Sequence, residues 1–250
     1  MAETTDTMDK ANVLGVQVDN VTLDEAVGRA MDQVAAGRKG YVVTPNAEIV
    51  YLCRQDAHLR ELVNRASLVL PDGIGVVYGA KILKQPLAGK VAGIDFADAL
   101  AGALAQAGRT LYLLGSKPGV AEEAAQTLQK KYPGLRIAGC RDGYFQDEEE
   151  AVRSVNDAGG ADVVFVCLGA PKQEEFMARQ LEKMDATLLC GLGGSLDVFA
   201  GRVERAPDLW IRLGLEWLYR LLKEPRRIGR MMKLPRFLLC VLISRVKGGN

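Results

Sequence analysis

Five segments of this chain combine turn-forming residues with polar side chains able to do chemistry. They are Thr44-Pro45-Asn46, Pro71-Asp72-Gly73, Gly115-Ser116-Lys117, Gly169-Ala170-Pro171-Lys172-Gln173 and Gly191-Leu192-Gly193-Gly194-Ser195. Glycine loops offer backbone N–H groups to phosphates, and helix N-termini add a favourable dipole. A carboxylate at a strand end followed by glycine, as in Asp72-Gly73, can stand clear of its backbone and face a pocket. Each feature also has a plain structural reading. Pro-Asp-Gly is a common turn, Thr44 and Asn46 suit the capping of a following helix, and Asp95 suits an N-cap. Lys90 could be a solvated lysine and Gln173 an ordinary first-turn residue. Five such loops in one chain are harder to dismiss than any one of them.

The elements that must position these loops follow from hydrophobic periodicity. Strands are predicted at Val13–Val18, Tyr41–Thr44, Ser67–Leu70, Thr110–Gly115, Arg136–Cys140, Val163–Gly169 and Thr187–Leu192. Amphipathic helices are predicted at Leu23–Ala36, Glu48–Ala66, Phe96–Ala107, Gly119–Tyr132, Glu148–Ala158 and Lys172–Met184. Thr22 with Glu25 forms a capping-box pattern, and Pro171 suits a helical first turn. Alternating strands and helices, with nearly continuous apolar strands, predict an α/β, Rossmann-like parallel sheet with helices on both faces. In such a sheet, ligands sit at the carboxyl ends of the strands, where all five loops fall.

Composition narrows the chemistry. The chain has 250 residues, 48% of them apolar and a net charge of +1, so a large core is available and the total charge gives no reason to expect nucleic acid. Five scattered cysteines without a C-x-x-C pair read as buried free thiols of a reducing cytoplasm, and the single His58 reads as a surface helix residue. A histidine metal centre is thereby disfavoured. No G-x-G-x-x-G follows the first strand, and no Walker A, G-x-S-x-G or D-x-D sequence occurs. Tyr219 and Lys223 mimic a dehydrogenase Y-x-x-x-K but fall in the basic tail, without the matching glycine loop.

Charge is unevenly distributed. Residues 207–250 carry ten Lys/Arg and three acids, a net +7 that leaves −6 on residues 1–206. Such a tail points to an anionic partner. Trp210, Leu213, Trp217 and Leu221 recur near helical spacing, which suits a basic amphipathic helix lying on anionic lipid. A helix packed on the core with a solvated basic face is the plainer alternative, and Pro225 and Pro235 are expected to break the segment into short pieces. The polar start of the chain reads as no signal peptide, and the run Phe237–Ile243 is too short to span a bilayer. The expected organisation is a flexible N-terminus over 1–11, an α/β core over 12–206 and a basic C-terminal helical appendage over 207–250. An apolar patch left by a mobile tail could also pair subunits into a homo-oligomer.

The ordered blocks Thr44-Pro45-Asn46-Ala47-Glu48, Pro71-Asp72-Gly73-Ile74-Gly75-Val76 and Val91-Ala92-Gly93-Ile94-Asp95 resemble those of one family. So do Leu168–Glu174, Gly191–Asp197, Arg205-Ala206-Pro207 and Gly214–Leu221. Together they resemble the TagA/WecG/CpsF glycosyltransferases, over residues 12 to 236. The resemblance implies an inverting, metal-independent transferase without a cofactor, acting at the cytoplasmic face of a bacterial membrane. In the teichoic acid branch, UDP-N-acetylmannosamine donates its sugar to undecaprenyl-diphosphate-N-acetylglucosamine. Asp72 matches the family's general base, and Thr44, Asn46, Lys90 and Gln173 match its other pocket residues. Many members carry arginine in place of Lys90, which keeps the charge but loses the bidentate fork.

One carboxylate suffices for a single inverting displacement, whereas a glycosidase would normally show a pair. Loop chemistry adds Gly191, Gly193, Gly194 and Arg205 as candidates for holding the leaving diphosphate. Arg220, Arg226, Arg227 and Arg230 are candidates for the lipid diphosphate or the membrane surface. Two other readings remain open: another donor sugar (a uronic acid or hexose), or a non-catalytic peripheral membrane protein.

Overall fold

The structure, a computed structural model, describes residues 10–223 and 228–247. It opens with an antiparallel hairpin, β1 (Lys10–Val13) and β2 (Val16–Asp19), in place of the single strand expected over Val13–Val18. The two-residue turn has positive φ at both Leu14 (55°) and Gly15 (96°), as a tight hairpin requires, and the Gly15 N–H donates to Asn12 Oδ1 at 2.7 Å. A continuous apolar alternation hid that turn.

After α1 (Leu23–Ala35), whose Thr22–Glu25 capping box is formed, comes β3 (Gly40–Val43). The helix expected over Glu48–Ala66 is two helices, α2 (Ala47–Gln55) and α3 (Ala57–Asn64). Asp56 separates them in an extended conformation, ending one and capping the other through Oδ1 to the Leu59 N–H at 3.1 Å. The short β4 (Leu68–Val69) leads into α4 (Ile74–Ile82), a helix not expected from the sequence, and α5 (Gly93–Gln106). Then follow β5 (Thr110–Gly115), α6 (Val120–Lys131), β6 (Arg136–Arg141) and α7 (Glu148–Asp157). The core strands close with β7 (Ala161–Cys167), α8 (Lys172–Gln180), β8 (Ala186–Gly191) and α9 (Ser195–Phe199).

Six strands form one parallel sheet in the order β4-β3-β8-β7-β5-β6. The apolar strands are continuous because both faces are covered. Along β7, Val164 and Val166 face one layer while Val163, Phe165 and Cys167 face the other, the two-residue period of a strand. The first layer holds the hairpin with α2, α3, α4, α7 and α8, represented by Val16, Val50, Leu59, Val76, Val152 and Phe176. The second holds α1, α5, α6 and α9. The fold is therefore the expected α/β sheet with helices on both faces. All five cysteines are free; Cys53, Cys167 and Cys190 are buried, and His58 is exposed on α3.

The C-terminal segment forms α10 (Asp208–Arg212), α11 (Glu216–Lys223), α12 (Ile228–Met231) and α13 (Lys233–Lys247). Trp210 and Trp217 do not share one helix, because the chain turns at Leu213-Gly214, with Gly214 at φ 70°. Pro235 does not break α13 either. It is the third residue of that helix, where a missing N–H costs no intrahelical bond. Nor is α13 detached: Phe237 and Val241 are fully buried in the first layer, and Lys233 Nζ pairs with Glu48 Oε1 of α2 at 2.9 Å.

Candidate functional site

The chain leaves β3 towards the first layer through α2, but leaves the adjacent β8 towards the second layer through α9. Between strands whose exits diverge, a crevice opens at their carboxyl ends, the usual ligand position in an open α/β sheet. Thr44, 5% exposed, ties the two ends together by donating Oγ1–H to the Gly191 carbonyl at 2.9 Å. It also backs Gly93 at the start of α5, where a Cβ would lie 3.4 Å from the Thr44 side chain.

On the α8 side, Gln173 is almost fully buried. Its Oε1 accepts from the Gly193 N–H at 3.0 Å, and its Nε2 donates to Glu174 Oε1 at 2.9 Å. Gln173 therefore acts on the crevice through the β8–α9 loop, whose Gly193 N–H is already committed. Gly191 packs closely, since a Cβ there would come 2.7 Å from Met177 Cε and 3.1 Å from Gln173 Nε2, side-chain ends that would have to shift. Gly194 is the N-cap of α9 and makes no side-chain cap.

On the other side of β3, Asn46 does cap α2, accepting at Oδ1 from the N–H groups of Glu48 and Ile49 at 2.9 and 3.1 Å. The cap uses the oxygen only. Asp72 is half-buried immediately before Gly73, the N-cap of α4 at φ 83°. A Cβ on Gly73 would lie 3.7 Å from Asn46 Cβ, so the Asp72-Gly73 corner and Asn46 are neighbours. The positive φ at Gly73, which suits glycine, swings the chain into α4.

Two ion pairs close the rim. Lys90 Nζ lies 3.1 Å from Glu216 Oε2 of α11. Arg205 NH2 lies 2.6 Å from Asp95 Oδ1, while Arg205 Nε is buried without a partner among the described residues. Asp95 sits in the first turn of α5, whose N-cap is Ala92, so it is not the cap expected. Beyond β7, Ser116 follows the end of β5 with a positive φ of 60° and donates Oγ–H to Asp197 Oδ2 of α9 at 2.6 Å.

The fold thus brings Thr44, Asn46, Asp72, Gln173, Gly191, Gly193 and Gly194 to one end of the sheet, with Lys90 and Arg205 at the rim. Sequence reasoning missed the partners Glu174, Asp197 and Glu216. All three lie inside the blocks Leu168–Glu174, Gly191–Asp197 and Gly214–Leu221, and that was the available signal. Arg226 and Arg227 lie outside the described residues, as do the side chains of Arg220 and Arg230.

A cavity of about 530 Å³ opens at the opposite end of the sheet, at the amino ends of the strands. Its polar groups are spent on the fold. Lys39 Nζ donates to the carbonyls of Leu181, Glu182 and Met184, and Asp162 holds Thr110 and Arg109. Among the described residues, no three His, Cys, Asp or Glu side chains gather as a metal set, and no helix is long and apolar enough to cross a membrane.

Fold and site together define a doubly wound α/β protein with its candidate residues at the carboxyl ends of the strands. The sequence profile of the glycosyl transferase WecG/TagA/CpsF family matches residues 11–250, and the chain belongs to that family. It is 38% identical over 241 residues to the N-acetylglucosaminyldiphosphoundecaprenol N-acetyl-beta-D-mannosaminyltransferase of Staphylococcus aureus strain MW2, covering 95% of this chain and 94% of the relative. A protein of the same name from Bacillus spizizenii is also 38% identical, over 202 residues that cover 81% of this chain and 78% of the relative.

Proposed function

We propose that this protein transfers N-acetylmannosamine from UDP-N-acetylmannosamine to undecaprenyl-diphosphate-linked N-acetylglucosamine, a step in making a teichoic acid linkage unit or a related surface polysaccharide. The observation that carries this reading is the grouping of Asp72, Asn46 and Thr44 around the β3–β8 crevice. It occurs in a chain 38% identical, over nearly its whole length, to enzymes named for that transfer.

Asp72 is the general base. As the acceptor hydroxyl attacks the anomeric carbon, Asp72 takes its proton, the sugar–phosphate bond breaks on the opposite face, and UDP departs with inversion. Asn46, held by its capping bonds, presents its amide beside that carboxylate. The leaving diphosphate is met by Lys90 and Arg205, whose charges supply what a metal supplies in other transferases. Thr44 and Gln173 set the loops that frame the pocket.

Acceptor delivery falls to the C-terminal helices. Of eleven large apolar side chains exposed among the described residues, nine lie between Leu209 and Val246, in the strongly basic segment. An apolar surface rimmed by cations suits peripheral binding to an anionic bilayer, with the lipid diphosphate presented to the basic residues. We place the protein at the cytoplasmic face on that ground.

The test is UDP release from UDP-N-acetylmannosamine, with a short-chain polyprenyl-diphosphate-N-acetylglucosamine and EDTA present. Wild type should turn over, and Asp72→Asn should lose at least about a hundredfold in kcat, the scale of general-base catalysis. Full turnover by Asp72→Asn removes Asp72 from the mechanism. Turnover with a different UDP-sugar, and none with this one, replaces the donor.

A further inference from the structure

Glu174 has no obvious business where it sits. It occupies the first turn of α8, is 1% exposed, and faces Tyr41 of β3 and Cys53 of α2, with Glu175 its nearest acidic neighbour on the same helix. No ion pair reaches it among the described residues, and its Oε2 is buried without a partner. A leucine or methionine would be cheaper in this place, because a buried polar atom without a bond is costly. A residue retained against that cost invites a functional reason.

The reason lies in its one contact. Glu174 Oε1 accepts from Gln173 Nε2 at 2.9 Å, and Gln173 Oε1 accepts from the Gly193 N–H at 3.0 Å. An amide has one donor end and one acceptor end. With an acceptor at Glu174, the nitrogen of Gln173 must turn inward and its oxygen must face the loop. Without it, the amide is free to flip and set its N–H2 against the Gly193 N–H, donor against donor.

We propose that Glu174 is a positioning residue for donor-nucleotide binding: through Gln173 it fixes the Gly191–Ser195 loop in the conformation that receives the diphosphate. This rests on the reading of that loop as part of the donor pocket. Glu174 itself touches no substrate. Its burial pushes the carboxyl above the usual range, outweighing the Gln173 bond, and in either protonation state a carboxyl oxygen is there to accept from Gln173 Nε2.

The experiment uses the full chain and UDP as probe, measuring the UDP dissociation constant and the two substrate KM values. Glu174→Met, which keeps length but removes the acceptor, should weaken UDP binding and raise the donor KM by about tenfold, the scale of losing one oriented buried hydrogen bond. The acceptor KM should stay within about twofold. Glu174→Gln, a neutral isostere with the acceptor intact, should restore UDP binding to within about threefold of wild type. Gln173→Ala should weaken UDP comparably, and adding Glu174→Met to it should cost nothing more, because both changes break one relay.

Tight UDP binding by Glu174→Met beside a weakened Gln173→Ala overturns the relay, as do additive losses in the double variant. Wild-type binding by Gln173→Ala overturns instead the placement of the loop in the donor pocket. Should Glu174→Met fail to fold, Glu174→Leu takes its place in the same UDP measurement, and the melting temperature of Glu174→Gln reads the carboxyl itself. A carboxyl raised by burial stabilises the fold while protonated and loses that contribution as pH rises through its folded pKa. Glu174→Gln should therefore gain in melting temperature on wild type as pH rises above the unfolded glutamate value of about 4.3, and a difference independent of pH overturns the raised carboxyl.

Discussion

The ammonium of Lys90, on the loop between α4 and α5, lies 3.1 Å from the carboxylate of Glu216 at the start of α11, and both side chains are less than one-fifth exposed. A cation at the rim of the crevice is thus bound to the C-terminal helices before any ligand arrives. A pair this sheltered is worth more than a surface pair.

Lys90→Met should therefore do two things together. It should raise the donor KM at least about tenfold, through loss of a charge facing the diphosphate, and speed amide hydrogen exchange across residues 216–223. Lys90→Arg should preserve both. Slower UDP release with unchanged exchange would separate the catalytic role of Lys90 from its hold on α11.

Phe237 and Gly79 make a second tie. A Cβ on Gly79 would lie 2.7 Å from the Phe237 ring, so the close approach of α13 to α4 depends on a glycine. Phe237→Ala should cost about 3–5 kcal/mol of stability in urea unfolding, the usual cost of emptying a buried aromatic site. Leu239→Ser, on the exposed face of the same helix, should leave the urea midpoint unchanged and reduce co-sedimentation with anionic vesicles. Loss of stability from Leu239→Ser would mean that this face is covered by protein.

Much of this was legible beforehand because a parallel sheet writes itself as continuous apolar strands, and β5 was read to the residue. The loops were legible because glycine and proline mark strand ends. What escaped was decided by single residues or by tertiary contact. Asp56 splits one amphipathic stretch by capping α3 with its own side chain. Ile74–Ile82 is apolar on nearly every side, so it carries no clear helical period, and its contacts with α13 and the hairpin are tertiary ones. Glu174, Asp197 and Glu216 find their partners across 1, 81 and 126 residues, separations at which periodicity says nothing.

Gly115, which ends β5, has φ 130°, and a Cβ there would run into the carbonyl of Cys167 on β7. Backbone cannot yield as a side chain tip does, and the conformation itself is strained for any L-residue. Gly115→Ala should lower the melting temperature sharply or leave the protein insoluble, whereas Gly119→Ala, at φ 85° with open space around it, should fold with a modest loss.

Asp162 sets the acid limit at the far end of the sheet. Burial on its own would raise its carboxyl. The Thr110 backbone N–H at 2.7 Å and hydroxyl at 2.8 Å, with Arg109 at 3.0 Å, outweigh it and hold the group below the usual range. A carboxyl lowered on folding contributes stability that is present above its unfolded pKa, near 3.9, and is lost as pH falls through the folded value. Asp162→Asn should then be clearly less stable than wild type in urea at pH 7, and the gap should narrow below pH 4 as the wild-type carboxyl takes up its proton. A gap of equal size at pH 7 and pH 3 would show that the loss comes from packing or amide geometry and not from the charge.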